Sequence, residues 1–419
     1  MNRPLTAVLL LLCTCLLGVS LAQAGNWPAW RGPNGTGVAQ EKNLPVQWSK
    51  EKNVAWSVAM PGEGNSTPIV WGDQVFVTCA TDGGKMRSLM CYHRDDGKLQ
   101  WAKTVVCRAE EKTHKTNPHC SASPVTDGER IIVWYGSAGL YCYDMEGNEQ
   151  WKLDLGKFEH IWGNASSPVI YKDTVILNAG PGMRTFLAAF DKKTGEEKWR
   201  RTLADATSKT VDELRGSWSA PVLYQHGGRD LMALSMPKHL IAFDPESGDT
   251  VWTCEGLSLL SYSSPLVGDG VVVGMSGYHG PAIAVKTGGM GDVTETHRLW
   301  LHDNKNPQRV GSGVIVDGHI YILNENGIAW CLDLESGEKQ WEERLGGRSW
   351  ASMSHVDGKL YVSNQDGTTY VLEVNPQECK VLAENHLDEL TRASHAFSNG
   401  QVFIRTYKQL WCIEAKGAE

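Results

Sequence analysis

Polar and aromatic residues that could bind a ligand stand just before a set of recurring Ser-rich motifs, such as STPIV at 66–70 and SSPVI at 166–170. The residues that we select there are Asn65, His119, Trp162, Asn164, Arg215, Trp218, Tyr262, Arg309, Arg348, Trp350, Arg392 and His395. The set has four Arg, three Trp, one Tyr and two His, and no carboxylate. Guanidinium groups bind carboxylates and phosphates, and aromatic rings offer flat apolar surfaces. This composition predicts a site for an anionic, planar or sugar-like ligand or an acidic peptide loop, unless the side chains only plug a channel.

Catalytic and metal-binding patterns are not evident in the linear sequence. There is no CxxC and no HExxH, and no Ser-His-Asp or paired-carboxylate arrangement can be assigned from spacing alone. His114 and His119, beside Cys120, are candidate metal ligands, but solvated loop histidines are the simpler interpretation. We therefore predict no catalytic residue and no metal site.

A repeated motif indicates the elements that position these residues. Gly stands four residues before Trp in five segments, with the pairs Gly97/Trp101, Gly147/Trp151, Gly195/Trp199, Gly248/Trp252 and Gly337/Trp341. A degenerate sixth copy ends at Trp300, and the successive Trp residues are 41 to 53 positions apart. Repeats of this length are typical of propellers and solenoids.

Each repeat predicts four antiparallel strands. A Ser-rich motif is followed by a polar turn, often Asp-Gly, then an alternating apolar strand, a third strand, and a fourth strand that ends in Trp. Repeats begin near residues 66, 122, 166, 219, 263, 311, 351 and 393. The last repeat lacks its fourth strand, and KNVAW at 52–56 resembles the missing copy. We predict an all-β, eight-bladed propeller whose ring is closed by the N-terminal strand near residues 52–58.

Structural roles are expected for the motif tryptophans and for most cysteines. We expect each indole to pack between blades, as a docking residue, at Trp56, Trp101, Trp151, Trp199, Trp252, Trp300 and Trp341. Cys91, Cys142, Cys331 and Cys412 share one register in the third strands, which predicts buried small side chains. Two disulfides are compatible with the sequence, Cys79–Cys91 and Cys107–Cys120.

The start of the chain and its charge limit the functional classes. Arg3, an apolar run over 8–17 and AQA at 22–24 are typical of a cleaved signal peptide. Cys13 and Cys15 lack the preceding small residue of a lipoprotein, so we predict no lipid anchor. We assign 1–24 to the signal peptide, 25–47 to an N-terminal extension and 48–419 to the propeller. The net charge of −8 argues against nucleic acid. We expect an exported monomer in the periplasm or outside the cell, without a transmembrane segment after signal cleavage.

The repeats resemble a known family. AFDKKTGEEKW at 189–199 and AFDPESGDTVW at 242–252 resemble the tryptophan-docking motif of pyrroloquinoline-quinone (PQQ) repeat proteins. The resemblance covers roughly residues 48–417 and implies the quinoprotein alcohol dehydrogenase-like propeller. The opening segment WPAWRGPNGTGV at 27–38 is similar to exported bacterial PQQ-like propellers, many of which are named after the outer-membrane assembly scaffold BamB.

This family contains two functional classes. The dehydrogenases hold PQQ and calcium, and many carry a disulfide between adjacent cysteines. This chain has no adjacent Cys pair and no CxxCH, and the family's calcium ligands and catalytic Asp cannot be placed in it. The scaffold class binds proteins without a cofactor. We predict a non-catalytic scaffold of the cell envelope with a protein partner and no cofactor. The alternatives are a PQQ- and calcium-dependent oxidoreductase with a divergent site, or a glycan-binding envelope protein.

Overall fold

Eight sheets, each with four antiparallel strands, surround a central channel in the computed structural model, which describes residues 25–303 and 309–415. The prediction of an all-β, eight-bladed propeller is confirmed. The predicted signal peptide, with Cys13 and Cys15, lies outside the described residues, as do residues 416–419. No helix in the described ranges is long and apolar enough to cross a bilayer.

The sheets are called blades 1 to 8 in chain order, and each blade is given from its innermost to its outermost strand. Blade 1 consists of Ile69–Trp71, Gln74–Thr81, Met86–His93 and Leu99–Val106. Blade 2 consists of Val125–Thr126, Arg130–Trp134, Leu140–Asp144 and Glu149–Leu153. Blade 3 consists of Val169–Tyr171, Thr174–Ala179, Phe186–Asp191 and Glu197–Thr202. Blade 4 consists of Val222–His226, Arg229–Met236, His239–Phe243 and Thr250–Glu255.

The second half of the ring repeats the same order. Blade 5 consists of Leu266–Gly268, Val271–Met275, Ala282–Lys286 and Arg298–His302. Blade 6 consists of Val314–Val316, His319–Leu323, Ile328–Asp333 and Lys339–Arg344. Blade 7 consists of Ser354–Val356, Lys359–Ser363, Thr368–Glu373 and Val381–His386. Blade 8 consists of Ala396–Ser398, Gln401–Arg405, Gln409–Glu414 and the N-terminal strand Val54–Ala59.

Short elements complete the architecture. Gly216–Ser217 pairs in parallel with Leu260–Ser261. The short strand Val38–Ala39 pairs in parallel with the innermost strand of blade 7. The short strand Gly291–Asp292 pairs in parallel with the outermost strand of blade 4. The 3₁₀ turns are Asp82–Gly84, Gly136–Ala138 and Ala204–Ala206.

The ring closes through the N-terminal strand, as the sequence predicted. Val54–Ala59 pairs antiparallel with Gln409–Glu414, and Trp56 lies opposite Cys412. Blade 8 therefore combines the two ends of the described chain, and its third strand has no free edge. Closure of the ring therefore depends on pairing between two strands that are far apart in the sequence.

Hydroxyl side chains of the Ser-rich motifs link neighbouring blades around the channel. One residue of each motif occupies the same position, and these ring residues are Thr67, Ser123, Ser167, Ala220, Ser264, Ser312, Ser352 and Ser394. The backbone amide of each ring residue donates to the hydroxyl of the next one at 2.7 to 3.2 Å in seven of the eight steps. Ala220 offers no hydroxyl, so the bond between blades 3 and 4 is not formed in this way. The ring explains why serine recurs in the motif.

Six of the seven motif tryptophans of the outer strands donate a hydrogen bond to the neighbouring blade. The Trp151 indole donates to Lys192 O at 3.0 Å and covers Gly195, where an added Cβ would lie 2.9 Å from the ring. Trp56, Trp101, Trp199, Trp300 and Trp341 likewise donate to a backbone carbonyl of the next blade. The expectation that the fourth strand ends at Trp was wrong, since Leu99–Val106 continues past Trp101.

Trp252 departs from this pattern because the blade 5 turn is degenerate. Its indole donates to the Tyr224 hydroxyl of its own blade at 3.1 Å. The long turn of blade 5 instead adds Gly291–Asp292 in parallel to the outer strand of blade 4, with Gly291 opposite Trp252. An extra strand thus replaces the usual contact between indole and glycine.

Eight of the nine cysteines in the described ranges are buried and Cys379 is half-buried, and neither candidate disulfide is formed. All nine cysteines of the described ranges are free. Phe76 is the cross-strand partner of Cys91, whereas Cys79 lies opposite Ser88. Cys79 therefore stands three residues along the strand from the position opposite Cys91. The two side chains enter different core clusters. Cys107 and Cys120 are each buried as thiols.

Cysteines of the third strands occupy the register that the sequence indicated. Their cross-strand pairs with tryptophan are Cys91/Trp101, Cys142/Trp151, Cys331/Trp341 and Cys412/Trp56. Alanine takes this place in blades 3, 4 and 5. A small residue directly opposite the indole leaves room for it on the same face of the sheet.

Residues 25–39, called the N-terminal plug, fill the channel. Trp27 exchanges two backbone hydrogen bonds of 2.8 Å with Val70 of the innermost strand of blade 1. Beside blade 6, the Arg31 guanidinium donates to Gly313 O at 2.6 Å, and Val38–Ala39 pairs with the innermost strand of blade 7. Trp27 is fully buried and contacts Phe397 edge-on at 5.2 Å. The propeller is therefore sealed along its axis by its own extension.

Candidate functional site

A cavity of about 410 Å³, called the cup, opens where the chain enters the innermost strands. Seven of the twelve sequence-selected residues line it: Asn65, Trp162, Trp218, Tyr262, Arg348, Trp350 and Arg392. Trp30 of the N-terminal plug also contributes to the lining. Because the plug fills the channel beneath, the cup is open on one side only. Its volume lies in the range of small-molecule binding sites.

A simple register rule places side chains in the cup. The residue two positions before each ring residue lines it in all eight blades, and these residues are Asn65, Ser121, Ala165, Trp218, Tyr262, Val310, Trp350 and Arg392. Side chains alternate along an extended chain, so the positions immediately before and after these eight residues point elsewhere. The sequence contains this signal in every repeat, and five of the eight positions are among the residues selected from it: Asn65, Trp218, Tyr262, Trp350 and Arg392.

Five of the selected residues lie outside the cup lining. Asn164 and Arg309 stand three positions before a ring residue, and His395 stands one after, so alternation turns these three away. His119 and Arg215 lie further upstream in the connecting loops. Each of the five is held by other protein groups.

His119 and Asn164 belong to a buried polar cluster beside the cup. At its centre, Arg87 Nη1 and Glu111 Oε2 lie 3.1 Å apart, with side chains 2% and 3% exposed. Arg87 also contacts His119 Nδ1 at 3.1 Å, and Asn164 donates to Glu111 at 3.0 Å. Burial by itself raises the pKa of Glu111, but hydrogen bonding with His119 and Ser137 and the charge of Arg87 outweigh it and lower the pKa to about 2. The cluster fastens the 107–124 loop to blades 1, 2 and 3.

Arg309, Arg215 and His395 also have structural contacts. Arg309 is 1% exposed and donates to Gly280 O at 3.4 Å, and burial lowers its pKa to about 10. Arg215 pairs with Glu213 at 3.0 Å. His395 is fully buried with Nε2 at 2.9 Å from Ser363 Oγ, and burial lowers its pKa to about 4.

One wall of the cup is aromatic. The Trp162 and Trp218 rings lie 5.8 Å apart, and Tyr262 contacts Trp218 edge-on at 5.2 Å. Tyr278 stacks on Trp162 at 6.1 Å and is 55% exposed at the rim. The Trp218 indole donates to Gly163 O at 2.9 Å, which fixes its plane. These contacts give a stiff apolar surface at low entropic cost.

The opposite wall carries two arginines in different states. Arg392 donates to Gln365 Oε1 at 3.0 Å and to the Tyr407 hydroxyl, and its guanidinium lies 5.4 Å from the Trp350 ring centroid. Arg392 Nε is buried without a protein partner. Arg348 is exposed at the rim, and its side chain makes no hydrogen bond or ion pair with the residues that the structure describes. Arg392 is thus positioned in advance, while Arg348 keeps its full donor capacity for a ligand.

Hydrogen-bond acceptors also line the cup, and one of them, Glu325, was not among the residues selected from the sequence. Glu325 lines the cup, so the expectation of a mouth without carboxylates was wrong. It lies in the turn between the second and third strands of blade 6, which opens at the same end as the residues before the first strand. Glu325 Oε1 accepts from Trp350 Nε1 at 3.2 Å. Asn65 Nδ2 donates to Thr116 O at 3.0 Å, which leaves Asn65 Oδ1 buried without a partner.

Other cup residues were also missed. Trp30, Tyr278 and the loop residues His114, Thr116 and Asn117 line the cavity. None of them precedes a Ser-rich motif, so no repeat signal marked them. They come from the plug, from the second hairpin of blade 5 and from the long loop after blade 1.

The donor set of the cup can be tested against PQQ with calcium, which dehydrogenases of this fold class use. Two arginines beside aromatic rings suit a planar polycarboxylate. Calcium requires six to eight oxygen ligands, usually with several carboxylates, whereas Glu325 is the single carboxylate among the described lining residues. No cluster of three or more His, Cys, Asp or Glu residues in the described ranges has metal-site geometry. The residues therefore do not fit the calcium part of that cofactor.

Solved structures of similar fold include a BamB and several alcohol or methanol dehydrogenases. BamB from Moraxella catarrhalis is 15% identical, with 87% of this chain and 98% of that chain covered and a TM-score of 0.62. A europium-containing methanol dehydrogenase is 10% identical, with coverage of 93% and 98% and a TM-score of 0.71. The quinohemoprotein alcohol dehydrogenase of Comamonas testosteroni is also 10% identical, with coverage of 96% and 82% and a TM-score of 0.71. At these identities the likeness shows the fold alone.

Sequence comparison is more specific. A search of curated proteins gave no significant match. The family model described as outer membrane protein assembly factor BamB matches residues 53–289 and 286–379. Because these segments span well over half of the chain, the protein belongs to this BamB family of PQQ-repeat propellers.

Proposed function

We propose that this protein is a non-catalytic binding propeller of the cell envelope that holds a protein partner at the cup. The observation that carries the proposal is the pair of arginines opposite a fixed aromatic wall, with Arg348 uncommitted within the described structure and Arg392 held in place. Such pairings of aromatic and arginine side chains are typical of energetically dominant binding sites. The family description, an outer membrane protein assembly factor, supports a protein partner in the envelope.

Export to the envelope is part of this proposal. The signal-like pattern of residues 1–24 supports it. Buried free thiols are compatible with an oxidising compartment, because burial raises the pKa of groups such as Cys142 to about 12 and keeps them protonated.

Site-specific photo-crosslinking tests where the partner binds. A photoreactive amino acid is placed at Tyr278, on the cup rim, or at Leu99, on the outer strand of blade 1, and each protein is mixed with envelope extract. These sites have similar exposure, 55% and 52%, so they differ mainly in location. We expect adducts from position 278 that weaken strongly when Arg348 and Arg392 are both changed to Ala. Equal adducts from both positions, or adducts insensitive to the arginines, would contradict the proposal.

A cofactor titration tests the oxidoreductase alternative. PQQ with calcium is added to the purified protein while absorbance and thermal stability are followed. We expect no saturable calcium-dependent binding, because the cup offers a single carboxylate among its described residues. Tight binding with a gain in stability would favour the dehydrogenase class.

A further inference from the structure

We infer that the cup receives the carboxy-terminus of a partner protein, with the α-carboxylate at Arg392 and Arg348 and the last apolar side chain against the aromatic wall. This inference rests on the proposed function, because it specifies which part of a protein partner enters the site. Four features of the structure carry it: the sealed base, the positive charge, the unpaired acceptors and the aromatic surface.

The sealed base favours the end of a chain. Trp30 lines the cup, and Trp27, three residues earlier, is fully buried in the channel through its pairing with Val70. A polypeptide cannot pass through the propeller axis. A segment that fills the cup must therefore enter and stop there, which a chain terminus does without a reversal of direction.

The charge of the cup selects the carboxy-terminal end. Arg348 and Arg392 line one wall, against the single described carboxylate of Glu325. Gln365 and Tyr407 hold the Arg392 guanidinium, and its Nε remains buried without a partner. A terminal carboxylate supplies acceptors for the guanidinium groups of Arg392 and Arg348, whereas a terminal amine would be repelled by these two positive charges.

The unpaired acceptors suit a peptide backbone. Asn65 Oδ1 is buried and lacks a partner, and Glu325 has oxygen capacity beyond its bond from Trp350. Both residues line the cup, so a ligand that displaces water from this side of the cavity should carry donor groups. The amides of the last peptide units supply N–H groups, which a flat polycarboxylate largely lacks. The combination of acceptors and guanidinium groups therefore matches a peptide that ends in a carboxylate.

The aromatic wall sets the preference for the last side chain. Trp162, Trp218 and Tyr262 meet at centroid distances of 5.2 to 5.9 Å, and Tyr278 extends the surface to the rim. An aromatic or branched apolar residue would contact these rings edge-on or stacked. A charged or very small terminal residue would leave the surface uncovered.

Peptide titration tests the inference directly. Acetylated pentapeptides that end in Phe, Trp, Leu or Val are prepared as free acids and as carboxamides, and each is titrated by calorimetry. A third form is an amidated peptide with an internal Asp, which imitates an acidic loop. We expect the best free acid to bind about tenfold or more tightly than its carboxamide, since a hydrogen bond to a charged group is lost in the amide. We also expect it to bind more tightly than the loop mimic.

Variants assign the effect to the cup. Changing Arg348 and Arg392 together to Ala should abolish the difference between acid and amide. Glu325→Gln keeps the acceptor but removes a like charge, so free acids should bind more tightly. Arg229→Ala is the control and should leave binding unchanged, because Arg229 begins the second strand of blade 4 at the end of the blade away from the cup and pairs with Asp244.

The outcomes separate this inference from the proposed function. Equal binding of acid and amide, preference for the loop mimic, or no peptide binding would overturn carboxy-terminal recognition. Cup-specific crosslinks from Tyr278 in the same preparation would then still support a partner that enters differently. Peptide binding that persists in the double arginine variant would also overturn the inference.

Discussion

The backbone amide of Ser394 donates to the Thr67 hydroxyl at 3.2 Å and so joins the last blade to the first. Both residues are buried. The two residues are 327 positions apart, so this bond repeats between the chain ends the contact that links neighbouring blades elsewhere. The hydrogen bonds between ring residues therefore close the propeller beside the channel, and the N-terminal strand closes it at the outer edge.

Thr67→Val should weaken this closure. Valine keeps the shape of threonine but leaves the Ser394 amide buried without its acceptor, which costs about 1–3 kcal/mol. The measurement is the free energy of unfolding from denaturant titration. Thr67→Ser keeps the hydroxyl and is the matched control. If the Val and Ser variants unfold at the same denaturant concentration, the bond contributes nothing to closure.

Ala220→Ser should strengthen the ring. Ala220 is the ring position without a hydroxyl, and its own amide already donates to Ser264 Oγ at 2.7 Å. A serine hydroxyl there would accept a hydrogen bond from the Ser167 backbone amide. Such a bond typically adds about 0.5–1.5 kcal/mol to the free energy of unfolding. Ala220→Val adds volume without an acceptor and should destabilise the protein. A serine variant less stable than the native protein would show that the local geometry excludes the bond.

The docking contact between Trp199 and Gly248 can be separated from backbone strain. Gly248 has a φ of +74°, and an added Cβ would lie 2.5 Å from the Trp199 ring. Gly318 has a φ of +72° and nothing within 4 Å. Alanine at either position costs about 1–2 kcal/mol because its backbone must adopt the left-handed conformation. Only Gly248→Ala also displaces the Trp199 indole. We expect Gly248→Ala to be the more destabilising by at least about 1 kcal/mol in thermal unfolding. Equal losses would mean that the indole adjusts freely.

The repeated parts of this fold could be predicted from the sequence, and the aperiodic parts could not. Gly-x-x-x-Trp and the Ser-rich motifs recur because every blade meets the same packing problem, so the eight blades and the closing strand Val54–Ala59 were correct. Arg31 and Trp27 of the N-terminal plug occur once, and no local pattern states that they lie in the channel. Their position depends on contacts with innermost strands from distant parts of the chain.

The same distinction applies to the cup. Trp218, Tyr262 and Trp350 were found because they precede a repeated motif at the correct spacing. Glu325 and Tyr278 lie in second hairpins, and only the topology shows that these hairpins open at the same end. His395 and Arg309 lie outside the cup lining, because alternation along the chain turns their side chains away from it.

Trp27→Ala should test whether the plug stabilises the ring. The side chain is fully buried between blades 1 and 8, where it contacts Phe397. Truncation of a buried tryptophan typically costs about 3–5 kcal/mol. Trp30→Ala, on the half-buried cup side of the plug, should cost clearly less. Similar small losses for both variants would indicate that the plug rests in the channel without holding the blades together.

His395 should make the stability of the protein depend on pH. Burial lowers its pKa from 6.5 to about 4, so the unfolded chain binds a proton in this window that the folded chain does not. The free energy of unfolding therefore falls as the pH is lowered from about 6.5 to 4, by at most about 1.4 kcal/mol per pH unit. His395→Gln should flatten this part of the profile, measured by denaturant unfolding at a series of pH values. A comparison of the two proteins at pH 8, where this imidazole is neutral in both the folded and the unfolded state, measures the effect of the substitution itself. A His395→Gln profile parallel to the native one would show that other groups dominate acid destabilisation.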